Sequence, residues 1–214
     1  MRKIAKGPQP YGLAHYRSRP DAVYDGPHFT EVKEKIRISL LAEQGHLCAY
    51  CMQRISANAM QVEHWQCQHN FPARQLDWQN MLGVCRGNQG QPKNSQTCDT
   101  RKGDADLCLN PADNAHHVRL EICYTRDGKI HSHNSEFDTE ISQTLNLNWY
   151  RLVQNRKGVW DGITEALARR DGTRTRSQLQ KLLAKWNRPD DEGKLREYCD
   201  VVIYYLEKKL KRTK

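Results

Sequence analysis

Apolar residues recur four apart at Val32, Ile36 and Leu40, with Thr30 placed to cap the start and Gly45 to stop the end. That pattern predicts an amphipathic helix. Residues 1–28 hold four prolines and no sustained period, which predicts an irregular arm able to wrap a partner. Residues 52–64 alternate weakly, as a short β-hairpin would, and residues 65–77 form a polar, proline-containing stretch suited to a loop. Asp77 is placed to cap a short helix through Leu82. Cys85 to Cys98 encloses Gly, Asn, Gln, Pro and Ser and predicts an exposed loop, after which "CDTRKGD" opens another helix.

Strict alternation at Val118, Leu120, Ile122 and Tyr124, followed by Asp127-Gly128 and then Lys129 to His133, predicts a β-hairpin. Beyond Phe137 the period becomes helical, through Trp149, Leu152 and Val153, then Trp160, Ile163 and Leu167. It continues with Leu179, Leu182, Leu183 and Trp186, and ends with Leu195, Tyr198, Cys199, Val202, Ile203 and Leu206. Three or four helices follow from this, separated near Asp171-Gly172 and Pro189. The terminal "KKLKRTK" reads first as a solvated, frayed end and second as a phosphate contact. Together the elements predict an α+β protein.

Composition narrows the class. A chain of 214 residues, 37% hydrophobic and 28% charged, with five Trp and nine Tyr, suits a folded soluble protein. No stretch resembles a membrane span, and the basic start lacks the apolar run of a signal peptide, so a cytoplasmic setting is expected. In a reducing compartment, eight cysteines favour metal over disulfides. A formal charge of +9 favours polyanionic partners, nucleic acid above all.

Cys48-x-x-Cys51 with Cys85 and Cys98 gives four thiolates, the donor set of a closed structural Zn²⁺ site. The second pair is twelve residues apart rather than two, so Cys67, His69 or Cys108 could replace one ligand. Cys123 and Cys199 fall in strand and helix patterns and are expected in the core. Between the cysteine pairs lie Glu63-His64 and Asn80, with Asp99 directly after Cys98. Phosphodiester hydrolysis needs a base for the attacking water and a divalent ion for the developing charge. Histidine suits the first task at neutral pH, and carboxylates suit Mg²⁺ or Mn²⁺. Strand neighbours such as Glu63 and His64 point to opposite faces, so they can serve one site only where the chain twists. A nearby asparagine could fix the imidazole tautomer. His69, His116, His117, His131 and His133 read as surface residues, whereas Trp65 and Trp78 are placed to border a site.

"CAYC", "VEHW", "LDWQNML" and "CDTRKGD", in this order, resemble the HNH endonucleases, whose ββα-metal core is braced here by cysteine knuckles. With the following "DGKI" hairpin and "TLNLN…RLVQNRKG", the chain resembles the PtuB-type HNH family found with a PtuA-type ATPase in Septu and retron-associated antiphage defence. The resemblance implies an arm and helix at 1–46, a zinc-braced HNH nuclease core at 47–112, and a hairpin with helical extension at 113–214. It implies His64 as general base, Glu63 and Asp99 as ligands of Mg²⁺ or Mn²⁺, and Asn80 as the residue that orients the base and ties the loop. Asp99 departs from the family's usual histidine or asparagine. Lys102 and Arg101 become candidates for phosphate contact. Expected partners are DNA or RNA such as tRNA, the ATPase, and in a retron setting a reverse transcriptase with its msDNA. Two rivals remain, a catalytically silent zinc module that binds nucleic acid and a structural subunit that docks partners.

Overall fold

The computed structural model describes residues 1–169 and 174–213. Among them are two small antiparallel sheets embedded in helices, an α+β arrangement. The N-terminal segment is not a free arm. Met1, Ile4, Leu13 and Tyr16 are buried, α1 (Tyr11–Arg17) packs on α2 (Thr30–Glu43), and the Gly7 carbonyl accepts from Trp78 Nε1 at 3.0 Å. Isolated apolar residues without a period thus find pockets in the chain's own core. In α2 the predicted face, Val32, Ile36 and Leu40, is buried. Thr30 begins the helix instead of capping it, because Phe29 holds the cap position without a side-chain cap. Gly45, at φ +57°, stops it in the left-handed region.

The knuckle that follows is closed by Cys48 N–H on the Gln53 carbonyl at 2.8 Å and Met52 N–H on the Cys48 carbonyl at 3.0 Å. The expected hairpin over residues 52–64 is replaced by one bridge, Leu47 with Arg54, and by a strand that pairs further along the chain. That strand, β1 (Gln61–His64), runs antiparallel to β2 (Met81–Val84), with Glu63 opposite Leu82 and His64 opposite Met81. Asp77 does cap, accepting from Gln79 N–H, but only a single 3₁₀ turn, Trp78–Asn80. The next four residues, all buried, extend as β2 rather than continuing a helix.

After the loop comes α3 (Cys98–Lys102). The predicted hairpin is present but shorter, β3 (Ile122–Tyr124) with β4 (Ile130–Ser132). Val118–Glu121 forms a short helix, α4, which leaves Val118 buried and Leu120 74% exposed, an asymmetry that one strand face would not give. Helix α5 (Ser135–Thr139) runs into a π turn, Glu140–Thr144. Helices α6 (Tyr150–Ala168), α7 (Arg176–Asn187) and α8 (Cys199–Arg212) follow. The break at Pro189 falls between α7 and α8, whereas Asp171-Gly172 lies outside the described residues.

One apolar core draws on residues of all three expected parts, and a smaller cluster, Ile163, Leu167, Leu179, Val202 and Leu206, joins α6, α7 and α8. Among the described residues no helix is long and apolar enough to cross a membrane.

Candidate metal centre and acid–histidine site

The knuckle after α2 carries Cys48 and Cys51, the end of β2 leads to Cys85, and α3 opens with Cys98. Their four sulfurs lie within 4.8 Å of one another. Cys48 and Cys98 are 3.9 Å apart, and Cys85 sits 3.7 Å from both Cys51 and Cys98. Four thiolates about 2.3 Å from a tetrahedral Zn²⁺ are separated by roughly 3.8 Å, so both the donor set and its spacing fit that ion. Burial opposes ionisation of Cys48, yet the thiols of Cys51, Cys85 and Cys98 interact with it and bring it well below the usual thiol range. Burial and the neighbouring sulfurs push Cys51 well above it. A metal would replace the protons that the cage otherwise shares. The possible substitutes are elsewhere: Cys67 accepts from Asn70 N–H at 3.4 Å, Cys108 lies beside Glu140, and His69 is exposed.

Glu63 and His64 leave β1 in different directions. The Glu63 carboxylate is buried, and its Oε1 accepts from the Tyr50 hydroxyl and from Lys102 Nζ, each at 2.9 Å. Asp99 and Lys102 lie three apart on α3, hence on one helical face, and that face meets Glu63. Burial, then the adjacent Asp99 carboxyl, push Glu63 well above the carboxylate range, with Lys102 acting against them. Glu63 is thus held toward its protonated form beside Asp99, and a divalent ion taking both carboxyl groups would have to displace that proton. The Lys102 side chain is 0% exposed, so it is not placed for phosphate; it neutralises Glu63 instead. Arg101, on another face of α3, donates to the carbonyls of Gln143 at 3.1 Å and Lys93 at 2.7 Å, bracing the loop between Cys85 and Cys98.

His64 is also buried, with the Tyr24 ring edge-on at 4.6 Å. Its Nε2 lies 2.8 Å from the Gln75 carbonyl, which can only accept, so Nε2 carries a proton. In the neutral ring the lone pair is therefore on Nδ1, where the Gln68 amide donates at 3.0 Å. Burial lowers the affinity of His64 for a second proton, and the Gln75 carbonyl and Asp99 partly offset this. Asn80 does not orient the ring. Its amide donates to the carbonyls of Gln66 at 2.9 Å and Arg74 at 3.2 Å and accepts from Gln66 N–H at 2.8 Å, tying the loop that leaves β1 to the turn that enters β2.

Several participants were not singled out from sequence. Tyr50, between the two knuckle cysteines, was visible as the aromatic of "CAYC"; Gln68 and Tyr24 carried no comparable signal, and Gln75 acts through its backbone. Lys6, 3.4 Å over the Trp78 ring and paired with Glu43 at 3.0 Å, donates to the Met81 carbonyl at the start of β2. Trp65, by contrast, packs beside His116. No protein-family model matches the chain, and no curated protein matches it.

Proposed function

We propose that the chain is a metal-dependent endonuclease of the HNH type, cutting DNA or RNA, with a Cys48, Cys51, Cys85, Cys98 zinc site bracing a ββα-metal core. The observation that carries this reading is the meeting of three pieces. A histidine with its lone pair on Nδ1 stands at the end of β1, a carboxyl pair joins β1 to α3, and a four-sulfur cage lies where α3 begins.

In this reading His64 Nδ1 takes the proton of a water that displaces the Gln68 amide. The water oxygen attacks phosphorus, the P–O bond to the leaving oxygen breaks, and the Gln75 carbonyl steadies the imidazolium that forms. Glu63 and Asp99 would hold the Mg²⁺ or Mn²⁺. Bound there, such an ion supplies positive charge to the scissile phosphate and its departing oxygen. Lys102 opposes the protonation that burial and Asp99 favour at Glu63 and aims its carboxyl group, a role in place of the phosphate contact. The net charge of +9 favours a nucleic-acid substrate, tRNA included. A PtuA-type ATPase partner, and in a retron setting a reverse transcriptase with msDNA, are proposed on the resemblance of the motifs, together with a cytoplasmic setting and a role in antiviral defence.

One observation favours a second reading. The Lys102 ammonium already neutralises Glu63, as it would in a silent zinc module that binds nucleic acid. A cleavage gel separates the two. The chain, purified with its ATPase, is offered plasmid DNA and total tRNA with and without Mg²⁺ or Mn²⁺, beside His64→Ala. Metal-dependent cutting lost in His64→Ala supports the nuclease. Equal cutting by both proteins removes His64 from the mechanism, and no cutting by either under any condition favours the silent module.

A further inference from the structure

The last two turns of α8 carry Lys208, Lys209, Lys211 and Arg212 against a single acid, Glu207, which is paired with Arg119. None of the four cations pairs with a carboxylate among the described residues. Lys208 instead lies over the Tyr204 ring at 5.1 Å and donates to its hydroxyl at 3.1 Å. Cations at a helix C-terminus ordinarily serve the exposed carbonyls there. In this chain Arg176 of α7 does so, donating to the carbonyls of Leu210 at 3.2 Å and Thr213 at 3.0 Å. Among the described residues the other four make no hydrogen bond to those carbonyls. Leu206, buried, and Leu210, packed on the smaller cluster, hold this end of α8 against its neighbours, so Lys208 to Arg212 form a fixed ridge and not a frayed tail, while Lys214 lies outside the described residues.

A groove runs along each flank of the ridge. One is lined by Leu120, His133, Tyr204, Lys208 and Lys211 beside the Arg119–Glu207 pair. The other is lined by Trp160, Tyr205, Lys209 and Arg212, with the Trp160 and Tyr205 rings edge-on at 5.1 Å. Both grooves thus place aromatic rings beside unpaired cations.

We infer that the C-terminal ridge of α8 is a binding site for the phosphodiester backbone of nucleic acid, separate from the Glu63, His64 and Asp99 site. Unneutralised cations in a row bind phosphates and release their counterions, and flanking rings offer surfaces on which unpaired bases stack. An acidic peptide would use the charge but gain less from aromatic grooves on both sides.

The test uses the full chain carrying His64→Ala, without added divalent metal, so that cleavage is no part of the readout. Fluorescence anisotropy follows a labelled 20-nucleotide RNA and a 20-base-pair DNA over a range of salt, with polyglutamate of equal charge as competitor. Replacing Lys208, Lys209, Lys211 and Arg212 together by Gln should flatten the slope of log K against log salt by about 3, since each neutralised phosphate contributes roughly 0.7 to 0.9. A charge-keeping variant, with the three lysines as Arg and Arg212 as Lys, should leave it unchanged. An unaltered slope in a Gln variant whose circular dichroism matches the parent overturns the proposal. So does polyglutamate competing as well as RNA, which would make the ridge an acidic-protein site. Either result leaves metal-dependent cutting by the wild type, and with it the nuclease reading, untouched.

Discussion

Replacing Lys102 by Met gives the sharpest measure of how the carboxyl site is built. The change keeps the length of the stem and removes the ammonium from an ion pair whose side chains are 0% and 5% exposed. Glu63 then retains one donor, the Tyr50 hydroxyl, and still faces Asp99. Breaking a buried pair from one side costs up to about 3–5 kcal/mol where the remaining charge stays uncompensated, and less as Glu63 takes up the proton that burial and Asp99 favour. For a chain of this size each kcal/mol moves the melting temperature by roughly 2–4 °C, so a fall of several degrees, up to about 20 °C, is expected. Thermal unfolding followed by circular dichroism at pH 7.5 and fixed zinc reads it directly. Glu63→Gln added to Lys102→Met removes the orphaned charge and should recover a large share of the loss, a non-additivity on the order of 1–3 kcal/mol. A phosphate-contacting lysine would behave otherwise, leaving stability within about 0.5 kcal/mol and lowering the salt slope of nucleic-acid binding by about 0.9. A single variant that melts within about 1 °C of the wild type would refute the buried pair.

Cys48→Ser or Cys85→Ser should bring zinc, measured by elemental mass spectrometry, from one ion per chain to well below that, and should lower the melting temperature along with it. Unchanged stoichiometry in both would remove them from the ligand set. Asn80→Ala deletes three hydrogen bonds at a buried position and should destabilise by about 2–4 kcal/mol in a denaturant titration; a loss under about 1 kcal/mol would show that the loop is held by other contacts. Burial lowers the His64 pKa below its ordinary 6.5, so the unfolded chain takes up this proton first as pH falls. The stability contribution is full above 6.5 and is lost as pH drops through 6.5 toward the folded value. Under the proposed nuclease reading, the acid limb of any cleavage that depends on His64 should likewise lie below 6.5, and a limb above it would contradict a base buried in its neutral form.

The four cysteines were legible as a set because thiolate donors are few, but only Cys48 and Cys51 have the spacing of a knuckle; the sulfur geometry, not the spacing, joins Cys85 and Cys98 to them in place of Cys67, His69 or Cys108. Glu63 and Asp99 were legible as an ordered pair of acids, and they do meet across β1 and α3. The partner of Glu63 was not, since the phase of α3 decides whether Lys102 or Arg101 faces β1, and a five-residue helix has too little pattern to reveal its phase. The pairing of β1 with β2 was hidden for a related reason. "MLGV" is a short apolar run following a capping aspartate, and period alone does not separate a buried strand from the end of a helix. Asn80 was identified by type and position, but its bonds go to Gln66 and Arg74, while the imidazole is fixed by a backbone carbonyl whose residue identity carries no information.

The four-sulfur cage and the carboxyl site share one piece of backbone, and this couples them. Cys98 opens α3 at φ +54°, a left-handed conformation that in a residue with a Cβ costs on the order of 1–3 kcal/mol and persists only where the surroundings hold it. Three other cysteines surround its sulfur, and its N–H donates to the Leu145 carbonyl at 2.9 Å. The left-handed step turns the chain so that the next residue, Asp99, enters the helix on the face that meets Glu63, with Lys102 one turn later. Loss of the cage would release Cys98 toward an ordinary conformation and rotate the first turn of α3, carrying Asp99 away from Glu63. Zinc removal should therefore abolish the coupling measured between Lys102 and Glu63 before it unfolds α2 or the β3–β4 hairpin. A cycle repeated on metal-depleted, still-folded protein that returned the same coupling energy would show that α3 is held by its packing alone.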